Sequence, residues 1–136
     1  TYPNVEIRRT MAPDLPDIQM DMRQLQQVFL NFVINAAQAM PKGGIITIQT
    51  KQVHLKEGAN GGPSHVVVVF ADTGTGIPQE KQAQIFQPFF TSGKKDGTGL
   101  GLTISKSIVE GHRGTISFES IEGKGTSFFI TLPVSQ

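Results

Sequence analysis

Residues 21–40, DMRQLQQVFLNFVINAAQAM, constrain the chain more than any other stretch. Asp21 suits a helix N-cap, and Leu25, Val28, Phe29, Phe32, Ala36 and Met40 recur at the three- and four-residue spacing of one buried face. At about 100° per residue, Gln24, Gln27, Asn31, Asn35 and Gln38 gather in a band roughly 80° wide, and most of the remaining circumference is apolar. A helix lying on a domain surface ordinarily turns Lys and Glu to water. An amide-only stripe is therefore read as facing a polar cavity, the alternative being a solvated face that lacks charge.

The remaining composition narrows the classes available. A chain of 136 residues is read as one domain, long enough to bury a core without staples. The absence of cysteine excludes a disulfide framework, a thiolate zinc site and thiol catalysis. A net charge of +1 with 17% charged residues gives no basic stripe for nucleic acid and no membrane patch. The apolar runs at 28–37 and 66–71 are far shorter than the roughly 20 residues of a membrane span, and no signal peptide opens the sequence. The expectation is a cytoplasmic domain without direct membrane contact.

In chain order, Val5–Thr10 alternates as a strand, and 17–20 is expected to return as a short antiparallel neighbour. The long helix ends at Pro41 and Gly43-Gly44, and Ile45–Val53 alternates as a half-exposed strand. Residues 57–63, EGANGGP, have the composition of a mobile loop. His65–Ala71, HVVVVFA, is a β-branched run suited to a strand buried on both faces, which puts Asp72 at the end of a central strand. Pro78 opens a short helix over Gln79–Ile85, and 91–97, TSGKKDG, reads as a lid. Gly97-Thr-Gly99-Leu-Gly101 runs into a helix over 102–110 that Gly111 ends, and 115–119 and 126–132 form a closing hairpin. Strands and helices mix without the regular alternation of a doubly wound fold. An α/β sandwich follows, with one mixed sheet covered on one face by helices.

The glycine run differs from Gly-x-Gly-x-x-Gly, because Leu102 holds the last glycine position, and no Gly-Lys-Ser/Thr is present. Unpaired amides at a helix N-terminus still attract an anion, and Lys94 and Lys95 supply charge beside it. The alternatives are a flexible helix cap for the glycines and a solvated lid for the lysines. Asn35 is the candidate Mg²⁺ ligand, since that cation takes oxygen donors and is commonly held by few protein groups plus phosphates and water. Asn31, one turn earlier, can orient waters or phosphate. Asp72 is placed to accept a hydrogen bond from an exocyclic amine such as adenine's, with Gly74 and Gly76 leaving room for the ring; an Asx turn is the alternative. Phe86 reads as core, and Phe89 or Phe90 as either core or lid anchor. His54, His65 and His112 form no metal constellation and read as surface or strand-edge residues.

Asn31-Phe-Val-Ile-Asn35-Ala, Asp72-Thr-Gly-Thr-Gly76, Phe86-Gln-Pro-Phe89-Phe90, Gly97-Thr-Gly-Leu-Gly101 and Gly123-Lys-Gly-Thr126 occur in that order. Together they closely resemble the N, G1, F, G2 and final glycine boxes of the ATP-binding domain of sensor histidine kinases, over roughly residues 5–133. The resemblance implies the Bergerat-type fold shared with gyrase, Hsp90 and MutL, a mainly antiparallel mixed sheet covered on one face by three helices. It implies Mg²⁺ on Asn35, with Asn31 and Asn35 as the catalytic pair, and the adenine amine on Asp72. The lid with Lys94 and Lys95 would close over the triphosphate, Gly97, Thr98, Gly99, Leu100 and Gly101 would bind the ATP beside it, and Thr126 would lie near the adenine.

Two departures from the superfamily pattern bear on chemistry. Relatives that hydrolyse ATP with water carry a glutamate one turn before the Mg²⁺ asparagine, where this chain has Asn31, and an amide cannot act as a general base. Many histidine kinases carry a lysine three residues after that asparagine, where this chain has Gln38. None of the three histidines is followed by an acidic residue, as a phosphate-accepting histidine usually is. The resemblance thus implies residues 1–136 as a single catalytic domain of a longer kinase. The acceptor histidine would lie on a dimerisation domain of the same parent, a response regulator receiver domain would be an indirect partner, and any membrane anchor would belong to the parent. A protein-serine kinase of the same superfamily, or a nucleotide-dependent conformational module without kinase activity, stands as the alternative.

Overall fold

The computed structural model describes residues 4–13, 15, 18, 20–54, 64–87 and 101–134. Strand β1 (Val5–Thr10) precedes helix α1 (Met22–Gln38), followed by β2 (Gly44–Val53) and β3 (His65–Asp72). A 3-10 helix (Gln79–Gln84), helix α2 (Gly101–Gly111), and the hairpin strands β4 (Thr115–Ile121) and β5 (Gly125–Pro133) complete the order. The five strands form one sheet in the order β1-β2-β3-β5-β4. β1 runs parallel to β2, and every other pairing is antiparallel. This is the expected mixed, mainly antiparallel α/β sandwich. No helix among the described residues is long and apolar enough to cross a membrane.

One expectation is corrected. The described residues of the 17–20 stretch, Ile18 and Met20, lie in no strand, and β1 takes β2 as its neighbour instead. Ile18 packs against the central apolar cluster, so its side chain is spent on the core. The 57–63 loop lies outside the described residues.

α1 starts where the sequence says it should. The Asp21 carboxylate accepts from the Gln24 amide at 3.2 Å, and Asp21 O takes the Leu25 amide at 3.0 Å. Its apolar side, Leu25, Val28 and Phe32, is buried against β3 and β5 with Val68, Phe70, Phe128, Ile130 and Leu132. Register explains this selection: Phe70 lies opposite Ile48 on one side and Phe128 on the other, and Phe128 opposite Phe118. The strands therefore lay an aromatic row under the helices. Phe32, 1% exposed, stacks on Phe70 at 5.4 Å between centroids and leans on Phe128 at 4.9 Å. Phe86, expected in the core, packs edge-on against Phe118 at 6.0 Å, with the Lys106 ammonium 5.2 Å from its ring centre.

α2 lies beside α1 and is tied to it by polar contacts near both of its ends. At its C-terminal end the His112 ring donates through Nδ1 to Ile108 O at 2.9 Å, which leaves Nε2 to accept the Asp21 amide at 2.8 Å. His112 is thus half-buried and bridges the helix pair, more than the surface residue expected.

Truncating Phe32→Ala removes the ring at the centre of the row and is expected to cost about 3–5 kcal/mol of unfolding free energy. Asp21→Ala, which loses only the cap, is expected to cost about 0.5–2 kcal/mol. Urea denaturation of both variants measures the difference, and an unchanged slope certifies that the same surface is exposed on unfolding.

Candidate functional site

The inner face of the sheet changes character at one end. Beyond the aromatic row, the next cross-strand positions are Ile46 opposite Asp72, and Thr126 opposite Ser120. Asp72 and Thr126 are neighbours on β3 and β5: the Thr126 amide donates to Asp72 Oδ1 at 3.3 Å. The same oxygen accepts the Gly74 amide at 2.9 Å, so Asp72 does make the Asx turn that stood as its alternative reading. The turn and a ligand role are compatible, because two backbone donors fix the direction in which the carboxylate points. Asp72 and Thr126 are both buried, and no buried side-chain nitrogen or oxygen among the described residues lacks a partner.

The loop after Asp72 is clamped from two sides. The Thr75 amide donates to Ala39 O, at the C-terminal end of α1, at 3.0 Å, and Thr75 O accepts the Gly123 amide of the β4–β5 turn at 2.7 Å. This gives the glycines a different reason from the one the sequence suggested. A Cβ on Gly74 would stand 2.5 Å from Ala39 O, and one on Gly76, whose φ is +72°, would strike the Ile121 carbonyl. The space these glycines leave is filled by the chain's own backbone, which locks the loop between α1 and the hairpin.

From Ala39 the site runs back along α1. Asn35 and Asn31 lie one and two turns before the clamp, both half-buried. Asn31 Nδ2 donates to Gly101 O at 3.4 Å and to the fully buried Ser105 hydroxyl at 3.2 Å, so its amide is turned toward the start of α2. The Gly101 carbonyl can only accept, which fixes the nitrogen on that side. The five-residue amide stripe therefore divides: Gln24 and Gln27 are exposed, whereas Asn31, Asn35 and Gln38 are half-buried. Residues 31–39 span about 12 Å of helix at 1.5 Å per residue. That one stretch of α1 links the N-terminus of α2 at Gly101 to the clamped loop leading back to Asp72.

Of the residues singled out from sequence, the fold thus brings Asn31, Asn35, Asp72, Gly74, Gly76, Gly101 and Thr126 onto one continuous line. Lys94, Lys95, Gly97, Thr98, Gly99, Leu100, Phe89 and Phe90 lie outside the described residues. Ser105, Ser120 and His112 were missed as partners. Ser105 falls on the buried stripe of α2 with Val109, and Ser120 continues the inward alternation of Ile116 and Phe118. A small hydroxyl at an apolar phase was the available signal.

The donor chemistry fits a magnesium nucleotide. Among the described residues no group of three His, Cys, Asp or Glu side chains could hold a metal alone. The asparagine amides of α1 can supply one or two neutral oxygens, which suits a cation held mainly by phosphates and water. The carboxylate at the far end of the line suits an amine-bearing base.

Comparison with known proteins gives the family. Over 133 residues the chain is 41% identical to Sporulation kinase E of Bacillus subtilis (strain 168), covering 98% of this chain and 17% of that protein. It is 40% identical over 131 residues to Sensor histidine kinase ZraS of Escherichia coli (strain K12), covering 96% of this chain and 26% of that one. The chain therefore spans about a sixth to a quarter of the length of these relatives. Among solved structures, the mycobacterial sensor histidine kinase MprB superposes with a TM-score of 0.81 at 29% identity, covering 98% of this chain and 86% of that one. Full-length ShkA in complex with AMPPNP superposes with a TM-score of 0.80 at 27% identity, covering 97% and 26%. The model of the histidine kinase-, DNA gyrase B- and HSP90-like ATPases matches residues 20–136, and the chain belongs to that family.

Proposed function

We propose that this chain is the catalytic domain of a longer sensor kinase: it binds Mg²⁺-ATP and presents the γ-phosphoryl group to a histidine on a separate helical dimerisation domain, in two-component signalling. The observation that carries this reading is the continuous line from Asp72 and Thr126, along the Asn35–Asn31 side of α1, to the N-terminus of α2. A base, a cation and a polyphosphate each meet the chemistry they need along it. In this reading the Asp72 carboxylate accepts from the adenine amine, and its two backbone donors keep it aimed. Asn35 would hold the cation through its amide oxygen. Bound Mg²⁺ supplies neutralisation of phosphate charge. The N-terminal amides of α2 face phosphate oxygens, and Lys94 or Lys95 adds charge from the preceding segment.

Catalysis then consists of positioning and charge neutralisation, because phosphoryl transfer asks little covalent chemistry of the protein. Asn31 supports transfer over hydrolysis. It stands one turn before Asn35, cannot take a proton from water, and has its nitrogen committed to α2. The phosphoryl group accordingly goes to a nucleophile activated elsewhere, on the acceptor domain. The named relatives are kinases far longer than this chain, which agrees with an acceptor in the same parent protein.

Calorimetric titration with ADP and a non-hydrolysable ATP analogue is expected to give near-micromolar binding, about 8 kcal/mol. Asp72→Asn should remove it, and Asn35→Ala should remove its Mg²⁺ dependence; an intact chain that binds no adenine nucleotide overturns the function. Mixing the chain with radiolabelled ATP and a histidine-bearing helical domain from a sensor kinase should label that domain with an acid-labile, base-stable phosphoryl group. The chain alone is expected to label almost not at all. Stable labelling on serine would instead assign a protein-serine kinase.

A further inference from the structure

The hydroxyl of Thr126 is held by a residue that the nucleotide reading does not use. Ser120 lies directly across the β4–β5 pairing, with its Oγ 2.8 Å from Thr126 Oγ1. Two further groups reach the same serine oxygen. The Ile77 amide donates to it at 2.8 Å, and it donates to Gly125 O at 3.2 Å. A hydroxyl has one proton and two lone pairs. An amide N–H can only donate, so Ile77 occupies one lone pair. A carbonyl can only accept, so the serine proton goes to Gly125. All three contacts are satisfied together only when Thr126 donates into the second lone pair. The threonine proton is spent on Ser120, and Thr126 Oγ1 meets anything else as an acceptor.

The surroundings keep this arrangement in place. Gln82 Nε2 bridges Ile77 O at 3.0 Å and Ser120 O at 3.3 Å, which holds the Ile77 segment against β4. Gly125, at φ +136°, sits where a Cβ would collide with the Asp72 carbonyl, so β5 lies tight against β3 at this level. Thr126 is only 6% exposed, and its own amide is bonded to Asp72. The Asp72 carboxylate, also an acceptor, stands beside it. The two side chains at this end of the sheet therefore offer lone pairs and no proton.

We propose that Ser120 is a specificity-determining positioning residue: by fixing the Thr126 hydroxyl as an acceptor, it favours nucleotides with a 6-amino purine over those with a 6-keto purine. The inference rests on the nucleotide function above. A 6-amino group brings hydrogens to this pair of acceptors, whereas a 6-keto oxygen sets lone pair against lone pair, and unmatched polar groups in a closed site discriminate strongly. With Ser120 absent, the Thr126 hydroxyl can rotate and donate to a keto oxygen.

The test compares dissociation constants for ADP and IDP, whose bases differ at the 6-position and in the proton on N1, without the added 2-amino group of guanine. The intact chain should prefer ADP. Ser120→Ala should narrow that preference about tenfold, the equivalent of one hydrogen bond, while Ser120→Thr, which restores a hydroxyl, should retain it. Equal weakening of both nucleotides in Ser120→Ala, with the preference intact, assigns the serine a purely structural part and overturns the proposal. Should Ser120→Ala fail to fold, Thr126→Val decides: it removes the acceptor with little change of shape, and a full ADP preference in that variant also overturns the proposal. An intact chain that binds both nucleotides equally overturns this inference and the placing of the 6-amino group on Asp72, while nucleotide binding itself stands. One that binds neither overturns the nucleotide function and this inference with it.

Discussion

A carboxyl group at the end of a buried strand costs free energy unless donors meet it. In this chain the match is made by two backbone amides that meet at Asp72 Oδ1, one from Gly74 and one from Thr126. Those two donors come from different parts of the fold, the loop leaving β3 and the start of β5. Satisfying one oxygen therefore requires the loop to turn back at once and β5 to lie in register beside β3. The clamp of Thr75 between Ala39 and Gly123 extends the same requirement to the end of α1 and to the hairpin turn. Helix, loop and hairpin are thereby referred to a single atom.

The apolar part of the molecule supports this without contributing to it chemically. Across four strands the inner face carries Ile48, Phe70, Phe128 and Phe118 in one row, and the next row toward the loops is Ile46, Asp72, Thr126 and Ser120. The transition from aromatic to polar takes a single row. A dry, close-packed base behind the polar row lowers the local dielectric, which strengthens the hydrogen bonds made there and raises the cost of a mismatched one. α1 spans both regimes, burying Phe32 in the aromatic row and turning Asn31 and Asn35 away from it. Its periodicity is what lets one element do both.

Much of this could be read from the residues. The 3.6-residue spacing of α1, the β-branched run of β3 and the alternation of β4 and β5 are local signals, and each produced an element within one or two residues of where it lies. Asp72, Asn31 and Asn35 stood out because their types were unusual for their positions, whereas Thr126 came only with the family resemblance. What could not be read were relations between distant parts. The parallel partner of β1 depends on where α1 returns the chain, and nothing in Val5–Thr10 encodes direction. His112 meets the amide of Asp21 across 91 residues. Gly74 and Gly76 were assigned to a ligand because glycine signals a close approach without saying by what. The approaching group turned out to be the backbone of Ala39 and of Ile121.

The order of strands in the sheet also governs when distant parts of the chain can meet. β3 is flanked by β2, which precedes it, and by β5, which is the last strand among the described residues. The bond from Thr126 to Asp72 closes a loop of 54 residues, a contact of the kind that forms late because its entropy must be lost before it returns anything. During synthesis the helix and the first three strands emerge while Asp72 still lacks its second amide. A chain that stops short of β5 holds every residue of the amide stripe but lacks the Thr126 amide that meets Asp72. The second backbone donor to Asp72 therefore arrives only when β5 joins the sheet.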